Sequence, residues 1–269
     1  MDLGPGPARC PFTLEKRYLD VLLPDGAVLL VYLGWLRLLG LRRARVTADL
    51  FRPGAAPLHG DAAASRVRGG EGWLDYGAAR IDGERVTFDA GGLSGELRFA
   101  ARAPPAALGV PLLARGRRRL DWIVEVPDAD ASGEVRWPGG GLEVRGRGYR
   151  DLVRFDFLPW RFPIRELRWG RIAAGPHAAT WMEARTGEGE LAAGWRDGRT
   201  ARPADLGLAL GSSRLLLESR VADLPGLGLG PLRGLLRRLG GDPREVKWAA
   251  PGSLDGSPGV AVHEVVRWR

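Results

Sequence analysis

Apolar and polar residues alternate along most of the chain with the two-residue period of half-buried β-strands. Residues 43–51 and 93–101 show this most clearly, with apolar side chains on one face and mostly charged or hydroxyl side chains on the other. Gly, Pro or Asp residues bound most of these segments, and Pro24-Asp25-Gly26 between two apolar runs predicts a hairpin turn. About sixteen such segments at a spacing of roughly 8–12 residues predict an all-β fold.

Sixteen strands exceed one small barrel, so we expect two consecutive antiparallel β-barrels joined near residues 150–165. The N-terminal barrel is assigned to residues 1–155 and the C-terminal barrel to residues 156–269. One segment has the period of a helix, and it predicts a short amphipathic helix over residues 231–239, near the C-terminus. Two roles remain open for this helix. It could cap the end of a barrel, or it could act as a lid or a membrane-surface helix through which a lipid-like ligand enters.

Composition supports a turn-rich globular protein and makes nucleic acid an unlikely partner. The 269 residues include 40 glycines and 20 prolines. Forty basic residues against 32 acidic ones give a net charge of +8, and because Lys16 and Lys247 are the only lysines, the other 38 are arginines. Arginine rises with Ala, Gly and Pro in the proteins of GC-rich genomes, so we attribute most of this charge to composition. An arginine-rich adaptor for nucleic acid or an anionic membrane is the weakest of our hypotheses.

No cofactor or metal motif is present in the sequence. Cys10 is the only cysteine, which excludes an intrachain disulfide and a cysteine-based metal site. The three histidines lie far apart, without the spacing of a zinc motif. Residues 1–11 lack the apolar run of a signal peptide, and the apolar stretch 27–41 is shorter than the ~20 residues that span a bilayer. We therefore expect a cytoplasmic protein, either free or peripheral to the inner face of the membrane.

The densest set of chemically useful residues lies in the middle of the chain. A Gly-x-Gly-Tyr-x-Asp stretch is formed by Gly146, Gly148, Tyr149 and Asp151. A Trp-Gly-Arg stretch follows at Trp169, Gly170 and Arg171. With the opening segment 15–20 (EKRYLD) and the C-terminal Val262-His263-Glu264, these motifs resemble the hydroxyneurosporene synthase (carotenoid hydratase) family, which has AttH-like and tocopherol-cyclase-like relatives. After Asp151 the sequence departs from the family pattern, because Leu152-Val153-Arg154-Phe155 stands where Asp-His-Asn-Trp-Gly often continues.

The resemblance implies two lipocalin-like barrels and a lyase or cyclase that needs no cofactor. Its reaction would begin with proton transfer from a carboxylic acid to an alkene carbon, and water or an internal nucleophile would then capture the cation. Burial favours the protonated form of such an acid, and aromatic faces stabilise the cation. The implied acid is Asp151, with Glu264 or Asp156 as a second carboxyl group. The residues implied to bind the hydrophobic small-molecule substrate are Tyr149, Trp169, Tyr18, Trp160, Trp181 and His263. Arg171 and Gly148 are assigned structural roles.

Simpler interpretations remain open for the same residues. Tyr149 and Trp169 are also typical of packed core aromatics. Asp151 and Arg171 could form a buried ion pair, and His263 on an alternating strand is typical of a packing residue. The alternative function is a non-catalytic carrier of a lipid or pigment, which would use the same apolar pocket without an acid.

Overall fold

The computed structural model describes residues 11–64, 67–106, 111–220 and 243–268, and in these ranges the protein is all-β. Twenty strands and two single-turn 3-10 helices are present among the described residues. The strands of the first sheet are β1 Phe12–Leu22, β2 Val28–Leu38, β3 Leu41–Phe51, β4 Leu58–Ala64, β5 Arg68–Gly70, β6 Trp73–Asp75, β7 Ala79–Asp82, β8 Arg85–Asp89, β9 Ser94–Ala101, β10 Leu113–Arg115, β11 Arg118–Trp137 and β12 Gly140–Phe155. Those of the second are β13 Ile164–Ala174, β14 His177–Thr186, β15 Glu190–Arg196, β16 Arg199–Ala201, β17 Leu208–Leu210, β18 Arg214–Arg220, β19 Arg244–Leu254 and β20 Ser257–Arg267. The 3-10 turns are Pro159–Arg161 and Pro203–Asp205.

The described residues form two compact units. Unit 1 takes its residues from 1–104 and 122–156, and unit 2 takes its residues from 105–121 and 157–269. The larger, antiparallel sheet has the order β4-β3-β2-β1-β12-β11-β9-β8-β7-β6-β5, with β10 paired to β11. The smaller, also antiparallel, has the order β16-β15-β14-β13-β20-β19-β17, with β18 paired to β19. The all-β prediction is therefore confirmed, and both sheets are antiparallel meanders rather than parallel βαβ arrays.

Both sheets curl so that distant strands approach one another. In unit 1, Gly60 of β4 lies so close to the β8–β9 turn that a Cβ atom there would be 2.7 Å from the Ala90 carbonyl oxygen. In unit 2, Arg196 at the end of β15 donates to Asp255 beyond β19, with 2.5 Å between Nη2 and Oδ2. Curling encloses a hydrophobic core in each unit, one of them around Leu33, Val46 and Phe99.

The predicted hairpin at Pro24-Asp25-Gly26 is confirmed between β1 and β2, where Asp25 accepts a hydrogen bond from the Ala27 N–H. Strand β11 runs for 20 residues, and Gly133 does not end it. The φ of 144° at Gly133 lets the strand pass the backbone of β9 at a distance that no side chain would allow.

The predicted helix at 231–239 lies outside the described residues. In the described part of the C-terminal region, residues 243–268, the chain forms the two strands β19 and β20. Among all described residues, no helix is long and apolar enough to cross a bilayer.

Candidate active site

Asp151 lies on β12, on the face of the unit 1 sheet that points away from the hydrophobic core. Strand alternation places Tyr149 on the same face, two residues earlier. The neighbouring strand β1 adds Tyr18 opposite Asp151 and Asp20 opposite Tyr149. Leu19, in between, points into the core. All four polar side chains belong to buried residues, so this strand pair is buried on both faces.

Asp151 is 2% exposed and accepts hydrogen bonds from two neutral donors. Trp122 Nε1 and the Tyr149 hydroxyl both lie 2.9 Å from Oδ2. The indole N–H can only donate, whereas the tyrosine hydroxyl can donate to a carboxylate or accept from a carboxylic acid. Tyr149 can therefore serve both protonation states of Asp151: its hydroxyl donates to the carboxylate, or accepts from the acid when the proton is on Oδ2.

Tyr18 and Asp20 extend this group along β1. The Tyr18 hydroxyl donates to Asp20 Oδ2 at 2.7 Å, and the Tyr18 ring centroid is 6.1 Å from that of Tyr149. We call Tyr18, Asp20, Trp122, Tyr149 and Asp151 the Asp151 cluster. It places two buried carboxyl groups among three aromatic side chains on one sheet face.

Gly148 allows the core face of β12 to pack closely beside this cluster. A Cβ atom at this position would lie 2.6 Å from the Phe99 ring and 2.9 Å from the Ala131 side chain. The glycine therefore sets the separation of β12 from the core beneath it, and with it the position of the next residue, Tyr149.

The core face of unit 1 also carries a buried ionic group. Arg17 pairs with Glu125, and Arg150 donates to the Gly83 carbonyl oxygen at 2.8 Å. Burial raises the pKa of the adjacent Tyr76 hydroxyl to about 12, so this side chain stays neutral at physiological pH. These charges are on the side of the sheet opposite the Asp151 cluster.

Unit 2 has a second buried polar group, on β13, β19 and β20. Glu264 of β20 lies opposite Trp169 on one side and opposite Lys247 on the other. Lys247 is 1% exposed; its ammonium group donates to Glu264 Oε2 and lies 4.9 Å from the centroid of the Trp169 ring. Arg171, two residues beyond Trp169, is buried on the same face. We call Trp169, Arg171, Lys247 and Glu264 the Lys247 cluster.

His263 and Trp181 lie on the other face of the unit 2 sheet. Trp181 belongs to a unit 2 core cluster and packs over Gly170. His263 stacks on Trp248, with ring centroids 5.2 Å apart, and its Nε2 is 3.2 Å from the Ser213 hydroxyl. Burial, and secondly the Lys247 charge, lowers the pKa of His263.

Two further predicted residues lie in the segment between β12 and β13. Asp156 directly follows β12 and is half-buried. Trp160 belongs to the 3-10 turn and is 40% exposed. Neither is a member of the Asp151 or the Lys247 cluster.

Sequence reasoning missed Trp122, Asp20 and Lys247. Lys247 carried a signal, because it is one of only two lysines in a chain of 38 arginines and stands in a strand. Asp20 stands in the segment 15–20 that contributes to the resemblance, although it was not named as a site residue. Trp122 carried no signal, because its role depends on strand pairing across distant positions. Within the described ranges, no group of three or more His, Cys, Asp or Glu side chains could hold a metal ion.

No family model and no curated protein matches this sequence. Solved structures do match its fold. CghA with bound Sch210972 aligns over 96% of this chain and 89% of that chain, at 13% identity and a TM-score of 0.62. A candidate AttH from Nitrosomonas europaea aligns over 97% and 94%, at 12% identity and 0.58. Kievitone hydratase from Nectria haematococca aligns over 94% and 88%, at 10% identity and 0.53.

The chain therefore shares the fold of these three proteins over almost its whole length. At this level of identity the likeness concerns the backbone architecture alone.

Proposed function

We propose that the chain is an enzyme of hydratase or cyclase type that acts on a hydrophobic isoprenoid or related small molecule, with Asp151 as the acid. The observation that carries the proposal is the environment of Asp151, a buried carboxyl group that accepts hydrogen bonds from the Trp122 indole and the Tyr149 hydroxyl. Burial favours the protonated acid that alkene protonation requires. The shared fold with a hydratase is consistent with this chemistry.

The proposed reaction needs one proton donor and one proton acceptor, and the Asp151 cluster supplies both. Asp151 transfers its proton to an alkene carbon and becomes a carboxylate, while the adjacent carbon becomes a tertiary cation. The rings of Tyr18 and Tyr149 stabilise that cation, at roughly 0.5–2 kcal/mol for each ring face. A water molecule adds to the cation and loses its proton to Asp20, and exchange with solvent restores both carboxyl groups. In a cyclase, a second double bond of the substrate attacks the cation in place of water and forms the ring bond. The new cation that results then loses a proton to Asp20, which leaves a double bond in the product.

The test uses geranylgeraniol, squalene and lycopene as probes, each incubated with the protein in deuterium oxide. Mass spectrometry then detects deuterium incorporation and water addition. We expect conversion of at least one probe by the wild type and a loss of about 10²–10⁴-fold in Asp151→Asn, the range for removal of a general acid. Asp130→Asn is the matched control, because that carboxyl group is exposed in unit 1 and pairs with Arg102.

Conversion that survives Asp151→Asn would contradict the assignment of the acid. The carrier alternative predicts a different result: a probe quenches tryptophan fluorescence on binding, yet neither the wild type nor any variant alters it. Solvent extraction of the freshly purified protein, followed by mass spectrometry, would identify such a carried molecule directly.

A further inference from the structure

The tip of the β2–β3 hairpin exposes leucine side chains to solvent. Leu39 is 74% exposed and Leu41 is 50% exposed, whereas their neighbour Leu38 is buried. Leu38 pairs with Leu41, so Leu39 and Gly40 form a two-residue turn at the end of two 11-residue strands. The exposed leucines are thus presented at the end of a hairpin rather than on the side of a sheet.

The conformation of the turn makes the choice of leucine unusual. Both turn residues have positive φ, 48° at Leu39 and 89° at Gly40. A leucine is disfavoured in this left-handed region, where Asn, Asp or Gly is the usual first residue of such a turn. The described residues include two more turns of this kind, and both follow the usual rule with Asp197-Gly198 and Asp255-Gly256. The protein therefore accepts backbone strain at the one tip that carries an exposed leucine.

The charge around this tip has one sign. The hairpin segment 27–48 contains four arginines and no acidic residue. Arg45 is neutralised by Asp61 of β4, while Arg42 and Arg43 are exposed directly beside Leu41. An exposed apolar tip flanked by basic side chains matches the interface of an anionic bilayer, where leucines enter the acyl boundary and arginines contact the headgroups.

We propose that the β2–β3 tip docks this protein on an anionic lipid bilayer. The docking element is defined by Leu39, Leu41, Arg42 and Arg43, and it is independent of Asp151. A bilayer is favoured over a protein partner because the exposed leucines and the exposed arginines are adjacent in the chain, as the acyl and headgroup regions are adjacent in a membrane. Peripheral attachment of this kind would bring the protein to the phase in which a poorly water-soluble substrate dissolves.

The test is co-sedimentation of the full chain with sucrose-loaded vesicles. One set contains phosphatidylcholine and phosphatidylserine in a three-to-one ratio, and the other contains phosphatidylcholine alone. We expect binding to the anionic vesicles, weakened by added salt because screening shortens the reach of the arginines. Leu39→Asn with Leu41→Gln should reduce the partition coefficient by at least about tenfold, since the variant lacks the two apolar side chains whose transfer out of water favours binding.

Two controls separate docking from folding. Leu39→Asn alone suits the turn and should leave the melting temperature unchanged or raised, while it weakens vesicle binding; a purely structural leucine would give the reverse. Leu215→Gln removes a leucine of similar exposure, 53%, from unit 2 and should leave binding unchanged.

For charge, Arg42→Gln with Arg43→Gln should weaken binding. Arg136→Gln with Arg145→Gln is the matched control, because it removes the same charge from an exposed part of unit 1 whose arginines pair with glutamates. Equal binding by the tip variants and the wild type overturns the proposal. So does self-association of the wild type in sedimentation velocity that the tip variants abolish while vesicles bind neither, because the tip would then contact a second copy of the chain.

Discussion

Asp151 and Glu264 are buried carboxyl groups at comparable places in the two units, yet their partners are opposite in kind. Each lies on a central strand, on the sheet face that points away from its core. Asp151 is bonded by an indole N–H and a phenol, both neutral, whereas Glu264 accepts from the ammonium group of Lys247. Neutral donors are compatible with a protonated carboxyl group, whereas an ammonium group in contact holds it as a carboxylate. The donors that the structure shows are therefore the reason to test Asp151 before Glu264 as the acid.

The largest expected effect on stability comes from Lys247→Met. This change leaves the buried Glu264 without its cation, which we expect to lower the free energy of unfolding by about 3–5 kcal/mol. Urea denaturation followed by tryptophan fluorescence measures the loss. The double variant Lys247→Met with Glu264→Leu should recover most of it, because a packed apolar pair often replaces a buried ion pair without penalty. A double variant that is no more stable than the single one would contradict the ion-pair description.

Trp122→Phe removes one of the two neutral donors to Asp151, and it should lower the free energy of unfolding by less than Lys247→Met does. Asp151 keeps the Tyr149 hydrogen bond but loses one donor, so we expect a loss of about 1–3 kcal/mol in the same assay. A loss as large as that of Lys247→Met would mean that Asp151 is charged in the folded protein. The contrast between the two carboxyl groups would then fail.

The smallest effect concerns the titration of His263, which reports the charge of Lys247 from the other face of the sheet. The pKa of His263 lies below 6.5 in the folded protein because of burial and then Lys247. Protonation therefore favours the unfolded chain: the stabilising contribution is complete above pH 6.5 and is lost as the pH falls from there toward the lower pKa. Unfolding measured over this range should be less pH-dependent in His263→Gln than in the wild type.

The pKa of His263 also tests whether the charge of Lys247 acts across the sheet. In the Lys247→Met, Glu264→Leu variant, the pKa of His263 measured by proton NMR should rise toward 6.5 without reaching it, because the burial contribution remains. An unchanged pKa of His263 would contradict the contribution of the Lys247 charge.

The sequence was sufficient to predict the all-β fold and to name three of the five residues of the Asp151 cluster, Tyr18, Tyr149 and Asp151. Alternation along a strand is local, so the shared face of Tyr149 and Asp151 follows from their two-residue spacing. The partners of Asp151 are not local: Trp122 precedes it by 29 residues, and their meeting depends on the register of two long strands. The sequence departs from the family pattern after Asp151, and the structure shows that two polar partners of Asp151, Trp122 and Tyr149, come before that point in the chain.

Other predictions lacked a local signal or remain untested. Nothing in the composition distinguishes a tryptophan in a core, such as Trp181, from one beside a buried cation, such as Trp169, because both alternate in strands. The assignment of Asp151, Glu264 and the binding residues to catalysis stays a prediction. The ion pair of Lys247 with Glu264 could have been predicted from the sequence, because one of only two lysines and an acidic residue lie on consecutive strands.

Gly148 links the core of unit 1 to the opposite face of its sheet. Its missing side chain lets β12 approach the Phe99 ring, where a Cβ atom would come within 2.6 Å. An added methyl group would have to displace the ring or the strand, and the strand carries Tyr149 and Asp151 on its other face. Among proteins of this architecture, a substitution in the core is thus a route by which the candidate acid is displaced while its own hydrogen-bond partners are unchanged.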